Sequence, residues 1–267
     1  MYFDTHTHLN DEKFDLDRGE VLAALAGAKV EQLVEIADAP ADWEKAIALS
    51  RARPWVRCSL GLHPYYADDW KPDLAKALLR KAVLPEVVAC GEIGLDYAKA
   101  PAGPPAQKRA LEGMLAAAWE AALPVVLHCR EAYADLLPLL ATFYEGKSPR
   151  GRFHGVVHCF SGTAEDAKTS AGLGFALGVD GPITYPKNDS LRLAIKGAGL
   201  DVVVLETDSP YLPPQSSRGK RNDPRSIPEI ADQLAWVFET SVDEVARATT
   251  RNARNLYRID ESGRKTQ

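Results

Sequence analysis

Five of the six histidines stand in short strings with other reactive groups: His6-Thr7-His8, Gly61-Leu62-His63-Pro64, His128-Cys129-Arg130 and His158-Cys159-Phe160. Carboxylates come in two further strings, Gly91-Glu92-Ile93-Gly94-Leu95-Asp96 and Glu206-Thr207-Asp208. His6 and His8, two residues apart after a short apolar run, would project from one face of an extended strand, because strand side chains alternate with a period of two. Asp4 shares their parity, so this segment can present three coordinating or orienting groups. Imidazole is the commonest protein ligand for zinc and related metals. A lone His-x-His also occurs as an ordinary surface pair, so a metal centre requires partners from elsewhere in the chain.

Bringing such strings together takes a repeated scaffold. Apolar, β-branched runs recur at 2–5, 32–36, 55–60, 86–92, 124–128, 155–159, 175–179 and 202–206. Ala/Leu-rich amphipathic stretches separate them at 16–28, 42–53, 74–82, 107–122, 131–144, 164–171 and 190–196, and two more at 228–239 and 241–252 close the chain. Strict alternation of this kind marks βα units around a covered parallel sheet. Eight strands predict an α/β fold, a (β/α)8 TIM-type barrel forming one domain over 1–267. An open doubly wound sheet would normally carry a Gly-rich fingerprint after strand one, where this chain has His6 and His8.

Composition bounds the rest. At 267 residues, 46% hydrophobic and 26% charged, the chain has the composition of a soluble globular protein. It has no apolar run of the ~18 residues a spanning helix needs. Nor does it open with a signal-peptide pattern, so the cytoplasm is the expected address. Cys58, Cys90, Cys129 and Cys159 form no CxxC pair and lie in apolar runs, reading as buried reduced thiols. A net charge of −5 excludes a globally basic nucleic-acid-binding surface, though not a nucleic-acid substrate held by metal ions and a few local cations.

Barrel chemistry gathers at the C-terminal ends of the strands, and that is where the strings fall. His154 lies four residues before His158, about 13 Å away along a strand, and cannot share the site. For His6, His8, Glu92, His128, His158 and Asp208 together, burial is costly unless a cation compensates. Six such groups exceed what one catalytic ion with an open position needs and suit two ions bridged by a carboxylate, an arrangement for metal-assisted hydrolysis.

These strings, with Tyr97 completing the first carboxylate string, Ser209-Pro210-Tyr211-Leu212 following Asp208, and Gly219-Lys220-Arg221-Asn222-Asp223-Pro224 and Asn252-Ala253 beyond, resemble the motifs of the TatD family of metal-dependent deoxyribonucleases, in order and over nearly the whole chain. The resemblance implies a TIM-type barrel of the amidohydrolase-like superfamily, one to three divalent ions, and hydrolysis of DNA phosphodiesters, described for members as 3′ to 5′ exonuclease action on single strands. It implies that His6 and His8 hold one ion and His128 and His158 the other. Glu92 would bridge them, and Asp208 would bind metal while orienting or deprotonating the water. His63 would approach the substrate phosphate or an additional ion. Magnesium, manganese and zinc are not distinguished. The Pro/Ala-rich stretch 99–105 leaves any family contact from that loop open.

On the substrate side, the stretch 216–225 carries Arg218, Lys220, Arg221 and Arg225 against Asp223, and after strand eight it reads as a phosphate clamp, chiefly through Lys220 and Arg221. Arg130 keeps the parity of His128 and could face phosphoryl oxygens. Tyr65, Tyr66, Tyr97, Tyr185 and Tyr211 fall just after strands and could stack on unpaired bases; Trp119 and Trp236 lie within helices and read as core. An amidohydrolase acting on a small amide or ester would share the ligand set, and would call for a closed apolar pocket. A metal-stabilised scaffold would call for a coordinatively closed site.

Overall fold

The computed structural model describes residues 1–261, 264 and 265. Its strands are β1 (Tyr2–Thr7), β2 (Val30–Ala37), β3 (Val56–Leu60), β4 (Val87–Asp96), β5 (Val125–Arg130), β6 (Gly155–Val157), β7 (Phe175–Val179) and β8 (Val203–Leu205). They form one parallel sheet in sequence order. A Thr7–Ser209 bridge joins the last strand end to the first, so the sheet curls into a nearly closed (β/α)8 barrel, as the alternation predicts.

The helices are α1 (Arg18–Ala24), α2 (Trp43–Ala52), α3 (Pro72–Ala82), α4 (Pro104–Glu120), α5 (Tyr133–Tyr144), α6 (Ala164–Gly172), α7 (Asp189–Ala198), α8 (Ile227–Phe238) and α9 (Val242–Tyr257). The first is shorter than the pattern suggests: Leu16 lies outside it and is fully exposed. Proline opens α3 and α4 and stands at the second position of α8, places where a missing N–H costs nothing. Trp236 departs from expectation. It is 68% exposed, because the buried stripe of α8 runs through Ile227, Ile230, Ala231, Leu234 and Ala235 and position 236 falls on the opposite face. Trp119 is half-buried against Tyr144.

The core has two layers. The larger packs helices onto the outside of the sheet. The smaller fills the barrel interior with Phe3, Val34, Ile36, Val88, Val126, Val156, Ala176 and Val204, and Leu256 and Tyr257 of α9 pack against it. The Tyr257 hydroxyl donates to the Thr5 carbonyl (2.8 Å), tying the last helix to the first strand.

Two strands depart from regular pairing where the chemistry sits. Asp4 pairs with Leu33 and Thr7 with Glu35, so β1 carries one extra residue around His6. Cys90 pairs with Val125 and Ile93 with Leu127, so β4 carries one extra residue around Glu92. Such bulges re-aim side chains, and here they turn His6 and Glu92 into the barrel mouth. They also break the parity expected of Asp4, whose carboxylate accepts from the Thr207 hydroxyl (2.7 Å) and backbone N–H (3.0 Å) and so binds β1 to the chain beyond β8.

Candidate metal centre and active site

The six residues expected to share a centre do converge. Glu92 lies in the middle, 3% exposed. Its Oε2 faces His6 Nε2 (3.3 Å) and His8 Nε2 (4.0 Å). Its Oε1 faces His128 Nδ1 (2.6 Å), His158 Nε2 (2.9 Å) and His63 Nε2 (3.7 Å). Asp208 Oδ1 completes the first side, 3.6 Å from His6 Nε2 and 3.4 Å from His8 Nε2. One carboxylate thus separates two imidazole groups, one on β1 and one on β5 and β6.

Close backbone approach makes this possible. A Cβ on Gly94 would stand 2.0 Å from the His128 carbonyl oxygen, and one on Gly61 would stand 2.3 Å from the Gly91 carbonyl carbon. Only glycine lets β3, β4 and β5 press together here. Asp208 and Cys159 occupy the left-handed region (φ 53° and 44°), a conformation that costs non-glycine residues energy and recurs at functional sites. Asp208 is held there by its N–H bond to the His6 carbonyl (3.0 Å).

Behind the imidazoles stands a second set of carboxylates. Asp38 Oδ2 is 3.7 Å from His8 Nδ1, Asp96 Oδ2 is 3.1 Å from His128 Nε2, and Glu206 Oε1 is 3.4 Å from His158 Nδ1. Each lies on the far side of a ring whose other nitrogen faces Glu92 or Asp208, the arrangement that fixes tautomer and orientation in metal-ligating histidines. Glu206 also accepts from the Cys159 N–H. Sequence reasoning did not assign these three roles. The available signal was positional, since Asp38, Asp96 and Glu206 all stand at strand ends.

Electrostatics show what the site asks for. Burial works against protonation of His8, yet Asp38 and Asp208 hold it up at about 10. Burial likewise opposes protonation of His158, and Glu92 and Glu206 overcome it. Burial would raise Glu92, but His158, His128 and His6 hold it well below the usual carboxylate range. Among the described residues, the ion-pair partners of Glu92 and Asp208 are imidazoles alone. Two buried carboxylates flanked by nitrogen donors, with no lysine or arginine to neutralise them, fit divalent cations.

His63 differs from the other four. Its Nδ1 accepts the Tyr65 N–H (3.2 Å), which assigns the ring proton to Nε2. Burial pushes its pKa down to about 4. The ring is therefore a neutral donor pointing into the mouth. His154 stays apart, packed on Tyr144, Trp119 and Phe175.

A cavity of about 670 Å³ opens above the centre, with Tyr65, Tyr66, Lys99, Arg130 and Tyr211 along its walls. Lys99 comes from the loop the sequence left open. Tyr65, Tyr66 and Tyr211 are about two-fifths exposed (38%, 43% and 43%). Tyr97 instead donates to Asp135, and Tyr185 donates to the Pro213 carbonyl with Arg218 over its ring.

The proposed clamp is largely engaged elsewhere. Arg221 forms a two-pronged pair with Asp17 (2.7 and 2.6 Å) and lies over Phe14, which places its guanidinium outside the cavity. Arg225 pairs with Asp223. Lys220 is exposed and also stands outside the cavity wall.

Comparison with known proteins accords with this geometry. The family model of TatD-related DNases matches residues 3–258. The chain is 34% identical to an uncharacterised metal-dependent hydrolase, YabD, of Bacillus subtilis, over 97% of this chain and 100% of that one. It is 32% identical to the 3′-5′ ssDNA/RNA exonuclease TatD of Pantoea vagans, over 96% and 99% of the two chains. The crystal structure of YjjV, a TatD homologue from Escherichia coli, superposes with a TM-score of 0.87 at 29% identity, covering 97% of this chain and 98% of that one. With its barrel, its convergent imidazoles and its end-to-end match, the chain belongs to the TatD family of metal-dependent DNases and is a metal-dependent hydrolase.

Proposed function

We propose that residues 1–267 act as one hydrolase domain that shortens single-stranded DNA from its 3′ end, with two divalent ions. The observation that carries this reading is the division of Glu92, one oxygen toward His6, His8 and Asp208 and the other toward His128 and His158. His6, His8 and Asp208 would hold one ion, His128 and His158 the other, with Glu92 between them. Divalent ions in such a pair lower the pKa of water and stabilise charge on phosphoryl oxygens. Manganese and zinc suit the imidazole–carboxylate set, and magnesium suits it when waters fill the shell; a third ion near His63 is not required.

The chain's own groups do the rest. Asp208, fixed by the His6 carbonyl, orients an attacking water and accepts its proton. His63 Nε2–H donates to a phosphate oxygen, a role its tautomer favours over metal ligation. Arg130, exposed on the cavity wall, faces the same oxygens. Tyr65 and Tyr66 offer faces for stacking unpaired bases, at about 1–3 kcal/mol per base, whereas Tyr211 donates to Asp11 and carries Lys13 over its ring. Lys220 and Arg221 would bear on a longer strand beyond the cavity; the Asp17 pair makes Arg221 the weaker of the two. The open, tyrosine-rimmed mouth supports a polymer over a small amide or ester. The free thiols support work in a reducing compartment, the cytoplasm.

The test is metal-stripped protein resupplied separately with magnesium, manganese and zinc, on 3′- and 5′-labelled DNA and RNA strands, with Asp208→Asn as control. Stepwise, metal-dependent shortening from the 3′ end that the variant lacks is expected. No cleavage by folded, metal-loaded protein would transfer the centre to small-molecule amide or ester hydrolysis.

A further inference from the structure

At the edge of the two-ion centre a third group of donors meets. Cys159 follows β6, Asp180 follows β7 and Asp208 lies three residues beyond β8. One ligand atom of each lies within 4.8 Å of the others. Asp180 is 2% exposed, and its Oδ2 is buried with no hydrogen-bond partner. A carboxylate oxygen left unpaired in the interior is costly unless something positive meets it. Ile183 bonds the Asp180 carbonyl (3.1 Å) and so anchors the turn that carries the side chain. Cys159 is set by its left-handed backbone and by the Glu206 bond to its N–H. Cys58 and Cys90 are 0% exposed; Cys129, 5% exposed, and Cys159 both line the cavity, and Cys159 is the less buried of the two. Of these two thiols, Cys159 is the one grouped with carboxylates.

We propose that Cys159, Asp180 and Asp208 form a further cation site that takes a thiophilic divalent ion, zinc or its surrogate cadmium, in preference to magnesium. The donor types argue for the selectivity: a thiolate prefers softer ions, and two carboxylates supply the charge. On binding, the thiol proton leaves to solvent and the Sγ–metal bond takes its place. Because Asp208 also faces His6 and His8, an ion here draws on the same carboxylate. Zinc in excess over the first two ions therefore slows hydrolysis.

The site rests on its donors and not on which bond the enzyme cleaves. Cobalt added to metal-stripped wild-type protein should give a thiolate-to-cobalt charge-transfer band after the first ions have bound. Cys159→Ser should abolish it and Asp180→Asn weaken it. Zinc stoichiometry should be one ion lower in Asp180→Asn than in wild type, whatever number the variant retains; a retained number other than two counts against the two-ion centre and leaves this site standing. In unmutated protein, cadmium should protect Cys159 from a thiol reagent at least about tenfold. A missing band, equal stoichiometries, or a modification rate indifferent to cadmium would each overturn the proposal.

Discussion

His154 and His158 flank the same three-residue strand, and little else about them agrees. His154 lies among Trp119, Tyr144 and Phe175, and burial lowers its pKa. His158 faces Glu92 and Glu206, and those carboxylates raise its pKa against the same burial. The contrast extends to the whole barrel. The interior below the mouth is filled by residues such as Phe3, Val126 and Val204, while the opposite ends of these strands carry every group assigned to the metal centre. A larger hollow of about 810 Å³, lined by Leu22, Trp55 and Arg254, contains none of them. In a parallel barrel, position along the strand decides whether a residue serves packing or chemistry.

The sharpest test of that contrast applies one substitution to both histidines. His158→Gln should lower turnover by more than the ~10–100-fold that losing an outer-shell partner costs, with metal content reduced. His154→Gln should leave turnover near wild type and lower Tm. Metal analysis and steady-state kinetics on both proteins check this. Next in size, Phe3→Ala in the interior should cost about 3–5 kcal/mol of stability, read by denaturant unfolding, while the folded fraction keeps its specific activity. Asp38→Asn should weaken metal affinity ~10–100-fold with the melting curve little changed. The smallest effect is expected at Arg221→Ala, which removes a partly exposed pair and should leave kcat and KM within about twofold. A large rise in KM would show that Arg221 leaves Asp17 to hold substrate.

What could be read in the sequence follows the same division. The strands were legible because a covered parallel sheet demands long apolar runs, and β7 lies at the expected residues. The five histidines at the mouth were legible because each stands at or just beyond the end of such a run. Asp38 was not: it stands in Ala37-Asp38-Ala39-Pro40, which reads as an ordinary loop start until β2 is laid beside β1. Asp180 likewise reads as a turn residue before Gly181-Pro182. A carboxylate at a loop start has no periodicity of its own, so its role emerges only when the ring of strands brings a histidine or thiol to it. Asp4 was misplaced because a bulge is invisible to a rule of simple alternation. The Arg221–Asp17 pair was not legible because charge composition does not reveal an acidic partner some 200 residues earlier.

The seam between β1 and β8 has a consequence for the protein's synthesis. His6 and His8 leave the ribosome well before Asp208, which follows His8 after 200 further positions. The Asp4–Thr207 bonds and the Tyr257 hydroxyl that fasten the seam arrive at the same stage or later. A growing or prematurely terminated chain therefore carries imidazoles without the carboxylate that completes their side of the centre. Hydrolytic competence is withheld until the chain has been made past β8.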